Sequence, residues 1–160
     1  MSEQGRSEPV HRSGFVSFVG RPNAGKSTLT NALVGQKVVI TSDKPQTTRT
    51  VVRGIVHRED AQLILVDTPG LHRPRTLLGE RLNDLVATTL AEVDVVAVCF
   101  PANEKIGPGD RFIATEMAKV KRTTKVALAT KTDLATSEQI GQHLLDIAAL
   151  GAEIGVDWAE

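Results

Sequence analysis

The sequence predicts an α/β domain of three layers, with a mostly parallel central sheet and helices on both of its faces. Short apolar runs typical of buried strands alternate with segments that carry apolar residues at helical spacing. Such alternation is characteristic of strand–helix–strand units with right-handed crossovers. Three polar motifs follow three of the predicted strands. Because sheets of this kind bind ligands at the carboxyl ends of their strands, the motifs are expected to meet there.

Length and composition set the broad class of the protein. The 160 residues suit one domain, and 41% hydrophobic and 24% charged residues are ordinary for a soluble globular protein. Basic and acidic residues number 19 each, which excludes an overall positive field that would attract nucleic acid or acidic membranes. The single cysteine, Cys99, is expected to be buried and inert in a reducing compartment. With no signal peptide and no apolar run of membrane length, the sequence predicts a cytoplasmic location.

Five strands and four helices are predicted after a short tail. Residues 1–13 are polar and are expected to form a disordered N-terminal tail, while residues 14–160 form the predicted domain. The predicted strands cover residues 15–19, 50–57, 62–66, 94–100 and 125–129. The predicted helices cover residues 28–34, 77–93, 110–121 and 138–150. Asp110 and Ser137 are the expected N-caps of the last two helices, and Gly151 is expected to end the last one.

The first polar motif, residues 20–27, fits the phosphate-loop pattern G-x-x-x-x-G-K-[ST]. The residues expected to bind nucleotide here are Gly20, Arg21, Pro22, Asn23, Ala24, Gly25, Lys26, Ser27 and Thr28. The two glycines let backbone N–H groups converge on phosphate oxygens beside the positive end of a helix dipole. Lys26 can reach the β- and γ-phosphates, and the Ser27 hydroxyl is placed to ligate Mg²⁺. A chance match is the alternative, and the strand before and the helix after the motif argue against it.

The second motif follows the apolar run 62–66. It consists of Asp67, Thr68, Pro69, Gly70 and Leu71. A carboxylate at Asp67 would hold Mg²⁺, directly or through water, and Gly70 offers an unhindered backbone N–H to a phosphate. The alternative is a plain turn after a strand.

The third motif consists of Thr130, Lys131, Thr132 and Asp133 and indicates which base is bound. The Asp133 carboxylate can accept two hydrogen bonds from the N1–H and the exocyclic amine of guanine, and adenine lacks this pair of donors. The aliphatic stem of Lys131 can lie along the purine ring. The motif therefore predicts a site for GTP and GDP. It disfavours the alternative that the protein is an ATP-using P-loop kinase.

Together these motifs resemble those of the bacterial Era-type GTPases, a family related to translation factors. The resemblance covers residues 14–160 and rests on the segments 20–27, 41–49, 67–72, 103–110 and 131–134. It implies a P-loop NTPase domain of the small-GTPase type. Thr130 stands where the family has asparagine, which weakens the expected contact with purine N7, while Asp133 keeps the selectivity for guanine.

The same resemblance identifies two switch loops. Residues 41–49 would form the first, in which Thr48 supplies a second hydroxyl ligand to Mg²⁺, and residues 68–76 would form the second. Both are expected to order around the metal and the γ-phosphate and to relax after hydrolysis. The alternative for the first loop is a solvated threonine-rich segment.

Catalysis departs from the pattern of many small GTPases. Leu71 stands where those proteins have the glutamine that orients the attacking water. The resemblance implies instead that Asn23 helps to hold K⁺ against the phosphates, where the cation neutralises developing charge. The alternatives are that Asn23 satisfies the loop backbone and that His72 acts as a base. The predicted catalytic residues are Asn23, Lys26, Thr48 and Gly70.

The resemblance also implies partners. Era-type proteins act in assembly and maturation of the small (30S) ribosomal subunit and bind 16S rRNA through a KH domain. The present residues stop just inside the expected sixth strand, before a last guanine-contacting loop and that KH domain, so we expect little RNA binding by them alone. Peripheral association with the inner face of the cell membrane is a further prediction. The alternative function is a GDP or GTP sensor without turnover.

Overall fold

The computed structural model describes residues 10–35, 51–67, 84 and 86–159. Its five strands are β1 Arg12–Val19, β2 Val51–His57, β3 Ala61–Asp67, β4 Val95–Pro101 and β5 Thr124–Thr130. They form one sheet in the order β2-β3-β1-β4-β5. β1 is parallel to β3 and β4, β4 is parallel to β5, and β2 is antiparallel to β3. The predicted, mostly parallel sheet is confirmed.

Helices cover both faces of this sheet. They are α1 Lys26–Val34, α2 Pro108–Ala118 and α3 Ser137–Ile154, with a 3-10 turn at Thr132–Leu134. α1 follows β1 and packs on one face through Val34. α2 and α3 bury Met117 and Leu150 on the other face, together with the helical residues 86–90. The predicted three-layer arrangement is therefore confirmed.

β4 lies between β1 and β5 and has apolar side chains buried on both sides. Val96, Val98 and Phe100 are each 1% exposed and face α2 and α3. Ala97 faces the opposite side and packs in the cluster that includes Val34 of α1. Burial of each large apolar side chain contributes about 1.5–3 kcal/mol, so β4, an interior strand of the sheet, holds the loops at its ends firmly in place.

The predicted bounds of two helices, α2 and α3, are wrong, and the errors have structural reasons. The N-cap of α2 is Gly107, with Pro108 as the first helical residue, and Asp110 lies one turn inside, where its carboxylate accepts from the Gly107 N–H at 2.9 Å. A proline at the first helical position has no N–H that would need a partner, which favours this earlier start. The capping role of Asp110 is thus exerted from the third helical position.

The last helix also differs from the prediction. Its N-cap is Thr136 and not Ser137, because the Thr136 hydroxyl accepts from the Gln139 N–H at 3.2 Å. α3 continues through Gly151 and ends at Ile154, and the residue after it, Gly155, has a φ of 74° in the left-handed region. Gly151 is a packing position, since a Cβ there would collide with the indole of Trp158.

The two ends of the described chain show further differences. β1 begins at Arg12, so residues 12 and 13 belong to the sheet and not to the predicted tail, while residues 1–9 lie outside the described residues. Of the predicted helix 77–93, residues 84 and 86–90 are helical and residues 91–94 turn toward β4. Residues 156–159 form no strand, although the Ala159 N–H donates to the Lys125 carbonyl of β5 at 2.8 Å. Every helix in the described part of the chain is too short or too polar to cross a bilayer.

Candidate nucleotide site

The first and third polar motifs and Asp67, the described residue of the second, meet at one edge of the sheet. The first follows β1, the second begins at the end of β3, and the third begins at the end of β5, and these strands all point the same way. The Thr130 hydroxyl donates to the Ala24 carbonyl at 2.6 Å across 106 residues of sequence. Asp67 lines a cavity of about 220 Å³ together with Lys26 and Ser27. The predicted convergence holds for the described residues of the three motifs, and the positions of residues 68–71 stay a prediction.

The phosphate loop adopts a conformation that depends on its small residues. A Cβ at Gly20 would lie 3.0 Å from the Cys99 carbonyl oxygen, which is tighter than ordinary contact. Gly25 has a φ of 92°, in the left-handed region that glycine tolerates best. Asn23 has a φ of 63°, a conformation in which asparagine is enriched. The residue types of the motif thus fix the course of the backbone.

Not every residue of the phosphate loop has a backbone N–H that is available to an anion. Pro22 has no N–H, and the Ala24 N–H is already bonded to the Arg21 carbonyl at 3.2 Å. The first-turn N–H groups of Lys26, Ser27 and Thr28 have no partner within α1, because helix geometry leaves them free. An anion at this helix end would accept from them and gain from the helix dipole.

Lys26 closes the loop on itself. Its ammonium donates to the carbonyls of Gly20 at 2.7 Å and Arg21 at 2.8 Å. Burial lowers the pKa of Lys26, and the neighbouring Cys99 and Asp67 partly offset this effect. Because an anion favours the charged ammonium, a bound phosphate would raise that pKa again. The side chain is therefore a half-buried cation suited to a phosphate.

Cys99 lies directly behind this loop. Its side chain is 1% exposed, and burial raises the pKa of the thiol to about 11, against a smaller opposing effect of Lys26. The predicted burial is confirmed, and the inertness of the thiol stays a prediction. Cys99 packs against the phosphate loop as a small apolar group.

The cavity beside Ser27 and Asp67 has the ligands of a hard cation. A hydroxyl and a carboxylate are oxygen donors of the kind Mg²⁺ prefers, and magnesium sites are commonly completed by phosphate oxygens and water. No group of three or more His, Cys, Asp or Glu side chains that could hold a metal exists among the described residues. The donor set therefore fits Mg²⁺ carried with a nucleotide, and not a site built from protein ligands alone.

Arg53 is a member of this cavity that the sequence did not reveal. It pairs with the Asp67 carboxylate, and it lies where the pairing of β2 with β3 is irregular, between Val52 and Gly54. Both side chains are about half exposed. No sequence pattern predicts this irregularity in the strand pairing. It lies at the position where Arg53 of β2 pairs with Asp67, the predicted metal ligand.

The base-reading motif lies next to the phosphate loop. Lys131 has a φ of 55° and lines a cavity of about 290 Å³ with residues 23–28. Asp133 is exposed on the 3-10 turn that follows. The Thr130 hydroxyl donates to the Ala24 carbonyl, so it connects this motif to the phosphate loop. The predicted contact of Thr130 with the nucleotide stays a prediction.

The side chain of Arg21 pairs with two carboxylates of the protein. Its guanidinium binds the carboxylates of Glu104 at 2.6 Å and Asp110 at 3.0 Å. Only its backbone carbonyl takes part in the loop, as an acceptor for Lys26. Glu104 and Asp110 were missed as site residues, although the segment 103–110 carried part of the family resemblance.

Several predicted site residues lie outside the described residues. They are Thr48, Thr68, Pro69, Gly70, Leu71 and His72, with the switch loops 41–49 and 68–76. Their predicted roles stay predictions. Asn23 is described, and its side chain is exposed with no hydrogen bond to another described residue.

Comparison with known proteins extends these observations. A family model described as a 50S ribosome-binding GTPase matches residues 15–131. GTPase Era of a Nocardioides species is 83% identical over 161 residues, which is 100% of this chain and 51% of that protein. The chain spans about half the length of the curated relatives it matches.

Two solved structures are similar in fold. An Era variant from Aquifex aeolicus bound to GDP and AlF₄⁻ matches with a TM-score of 0.69 and 31% identity, over 90% of this chain and 49% of that one. An Era complex with MgGDPNP and nucleotides 1506–1542 of 16S ribosomal RNA matches with a TM-score of 0.70 and 30% identity, over 91% of this chain and 50% of that one. These matches confirm the predicted fold and the resemblance to Era-type GTPases.

Proposed function

The chain belongs to the family of 50S ribosome-binding GTPases, and we propose that it is the nucleotide-binding part of an Era-type switch that binds GTP and GDP and hydrolyses GTP slowly. The observation that carries this proposal is the meeting of the phosphate loop, Asp67 and the motif 130–133 at one sheet edge. Relatives named GTPase Era and an Era structure with a GTP analogue and magnesium support it.

In this proposal the phosphates are held by the loop and the start of α1. Backbone N–H groups of Lys26, Ser27 and Thr28 donate to phosphate oxygens, and the Lys26 ammonium turns from the loop carbonyls toward the β- and γ-phosphates. Ser27 and Asp67 supply oxygen ligands to Mg²⁺, which neutralises charge on the phosphate oxygens when bound. The fit of these donors to a hard cation supports the assignment.

Guanine is read in this proposal by Asp133. Its carboxylate is exposed beside the phosphate loop and can accept from the N1–H and amine of the base. Lys131 covers one face of the ring with its stem. Support comes from the Thr130 hydrogen bond, which keeps the third motif against the loop that binds the phosphates.

Hydrolysis in this proposal uses groups from both switch loops. Thr48 would supply a further oxygen ligand to Mg²⁺, the Gly70 N–H would donate to the γ-phosphate, and Asn23 would help to hold K⁺, whose charge would stabilise negative charge on the phosphates. The exposed side chain of Asn23 in a left-handed loop position supports the last assignment. GTP hydrolysis should then be faster in KCl than in NaCl at equal ionic strength, and equal rates would contradict the potassium role.

We also propose that 16S rRNA and the small ribosomal subunit are partners, contacted chiefly outside residues 14–160. The Era complex with 16S rRNA supports the partner, and the zero net charge of this chain supports contact elsewhere. A cytoplasmic location and association with the inner membrane face stay predictions.

The proposal is tested by titrating the protein with GDP, GTP and ATP and by single-turnover hydrolysis of GTP. Guanine nucleotides should bind at least about 100-fold tighter than ATP, because ATP would leave the Asp133 carboxylate unmatched. Equal affinity for ATP would refute the guanine site. Tight binding of GTP without phosphate release would favour the second candidate, a nucleotide sensor without turnover, which Leu71 in place of a water-orienting glutamine supports.

A further inference from the structure

Arg21 connects the phosphate loop to the start of α2. The Arg21 Nε donates to the Asp110 carboxylate at 3.0 Å, and its Nη2 donates to Glu104 at 2.6 Å. These partners lie 89 and 83 residues further along the chain. One side chain therefore links two segments that the backbone does not connect locally.

The contact between Arg21 and Asp110 is largely buried. The Asp110 side chain is 3% exposed, and its second oxygen accepts from the Gly107 N–H at 2.9 Å. Among the described residues, Arg21 is the cation in ion-pair contact with Asp110. A buried carboxylate without a cationic partner is costly, so this pair has a strong preference to stay formed.

The contact with Glu104 is more exposed. Glu104 is 46% and Arg21 28% exposed in their side chains. The hydrogen bond from Arg21, followed by its charge, lowers the pKa of Glu104, and the hydrogen bond to Glu104 raises that of Arg21 despite opposing burial. An exposed pair contributes little by itself, and its effect here is to orient a guanidinium already held by Asp110.

The backbone carbonyl of Arg21 takes part in the hydrogen bonds of the phosphate loop. Its carbonyl accepts from the Ala24 N–H at 3.2 Å and from the Lys26 ammonium at 2.8 Å. Because Pro22 follows, the backbone angles of Arg21 are restricted. The carbonyl that shapes the phosphate loop thus belongs to the same residue whose guanidinium binds Asp110 and Glu104.

We propose that Arg21 is a positioning residue that clamps the phosphate loop to α2 through Asp110 and Glu104, and so sets nucleotide affinity without contacting the nucleotide through its side chain. This inference rests on the proposed nucleotide site. Because linkage is reciprocal, nucleotide binding also stabilises the segment 104–110. Events at that surface segment and occupancy of the nucleotide site therefore influence one another.

The experiment compares nucleotide affinity, dissociation rate and thermal unfolding for Arg21→Ala, Arg21→Lys, Asp110→Asn and Glu104→Gln. Arg21→Ala should weaken GDP binding about tenfold, within the usual range of coupling between sites, mainly through faster dissociation. Arg21→Lys should recover part of the loss, because a single ammonium replaces a fork of donors. Glu104→Gln should cost about twofold, as expected of an exposed pair.

The matched control is the exposed ion pair between Arg111 and Glu153, which joins α2 to α3 at 2.8 Å and does not touch the loop. Arg111→Ala should leave GDP affinity unchanged. The double variant of Arg21 and Asp110 should lose less affinity than the sum of the two single losses, because both substitutions remove the same ion pair. A merely structural role would lower the unfolding temperature without changing affinity in the folded fraction.

Two results are decisive. If the unaltered protein binds GDP and Arg21→Ala binds it equally well with the same dissociation rate, the clamp is refuted. If the unaltered protein binds no guanine nucleotide, the proposed function itself fails. Should Asp110→Asn not fold, the dissociation rates of the Arg21 and Glu104 variants still decide.

Discussion

The phosphate side and the base side of the candidate site differ in how their charges are balanced. On the phosphate side, Lys26 donates to two loop carbonyls and Asp67 pairs with Arg53. On the base side, Asp133 is exposed and has no ion pair with another described residue. A ligand must therefore replace internal partners at the phosphates, whereas it meets an open carboxylate at the base. In the proposed site, this difference predicts that the phosphate side mainly determines nucleotide affinity and the base side determines selectivity for guanine.

The largest expected effect comes from Lys26→Ala. Removing the ammonium deletes charge-assisted hydrogen bonds to phosphate, so GTP affinity should fall on the order of 1000-fold, while the preference for GTP over ATP persists in the residual binding. Fluorescent-nucleotide titration measures both quantities. Lys26→Arg is the control that keeps the positive charge. Unchanged GTP affinity in Lys26→Ala would contradict the prediction that the phosphate side determines affinity.

Asp133→Ala should affect the other side of the comparison. Loss of two charge-assisted hydrogen bonds to guanine should reduce GTP affinity about 100-fold, and affinity for ATP should stay the same or rise. The measurement is competition between GTP and ATP. The control is Glu138→Ala, which removes an exposed carboxylate in the first turn of α3, and equal losses for both nucleotides would show that Asp133 does not read the base.

Thr130→Val tests the hydrogen bond that joins the two sides. The variant keeps the shape of the side chain and removes the hydroxyl that donates to Ala24 at 2.6 Å. Loss of about 1 kcal/mol should weaken GTP and ATP by the same factor, about fivefold, and leave selectivity intact. Thr130→Ser keeps the hydroxyl and should bind normally. A change confined to selectivity would instead place Thr130 on the base.

Arg53→Ala should have a smaller effect, in the opposite direction. Because Arg53 and Mg²⁺ would compete for the Asp67 carboxylate, the variant should need about two- to threefold less Mg²⁺ for half-maximal nucleotide binding, as expected for an exposed pair. Arg58→Ala, on the β2–β3 turn, is the control. A higher magnesium requirement would mean that Arg53 orients Asp67 for the metal.

The smallest effect is a dependence on pH. Burial lowers the pKa of Lys26 below its ordinary 10.5, and bound phosphate favours the charged form. The complex therefore keeps a proton that the free protein loses, so affinity is full at neutral pH and falls as pH rises through the lowered pKa. Lys26→Arg should lack this alkaline decline, since arginine stays charged. An identical decline in both proteins would assign it to the nucleotide.

Much of this site was predictable because its chemical groups occur in motifs of a few consecutive residues. Glycines at fixed spacing, a lysine before a serine and a carboxylate after an apolar run each carry local meaning. The strands were predictable for the same reason, since buried parallel strands are continuous apolar runs. The helix ends were less so, and Asp110 and Gly151 show why. Each is a residue type common at helix ends, and here each lies inside a helix and packs against a partner from outside that helix.

The sequence by itself determined the order of the elements, the edge of the sheet where the polar motifs lie and the residue types found there. Only the tertiary structure decided which side chains pair: Thr130 with the Ala24 carbonyl, Arg21 with Asp110, and Arg53 with Asp67. Two of these contacts join residues 106 and 89 positions apart, and the third accompanies a strand irregularity. Periodicity and spacing are local properties of a chain, whereas such pairings depend on strand register and on how helices pack against the sheet.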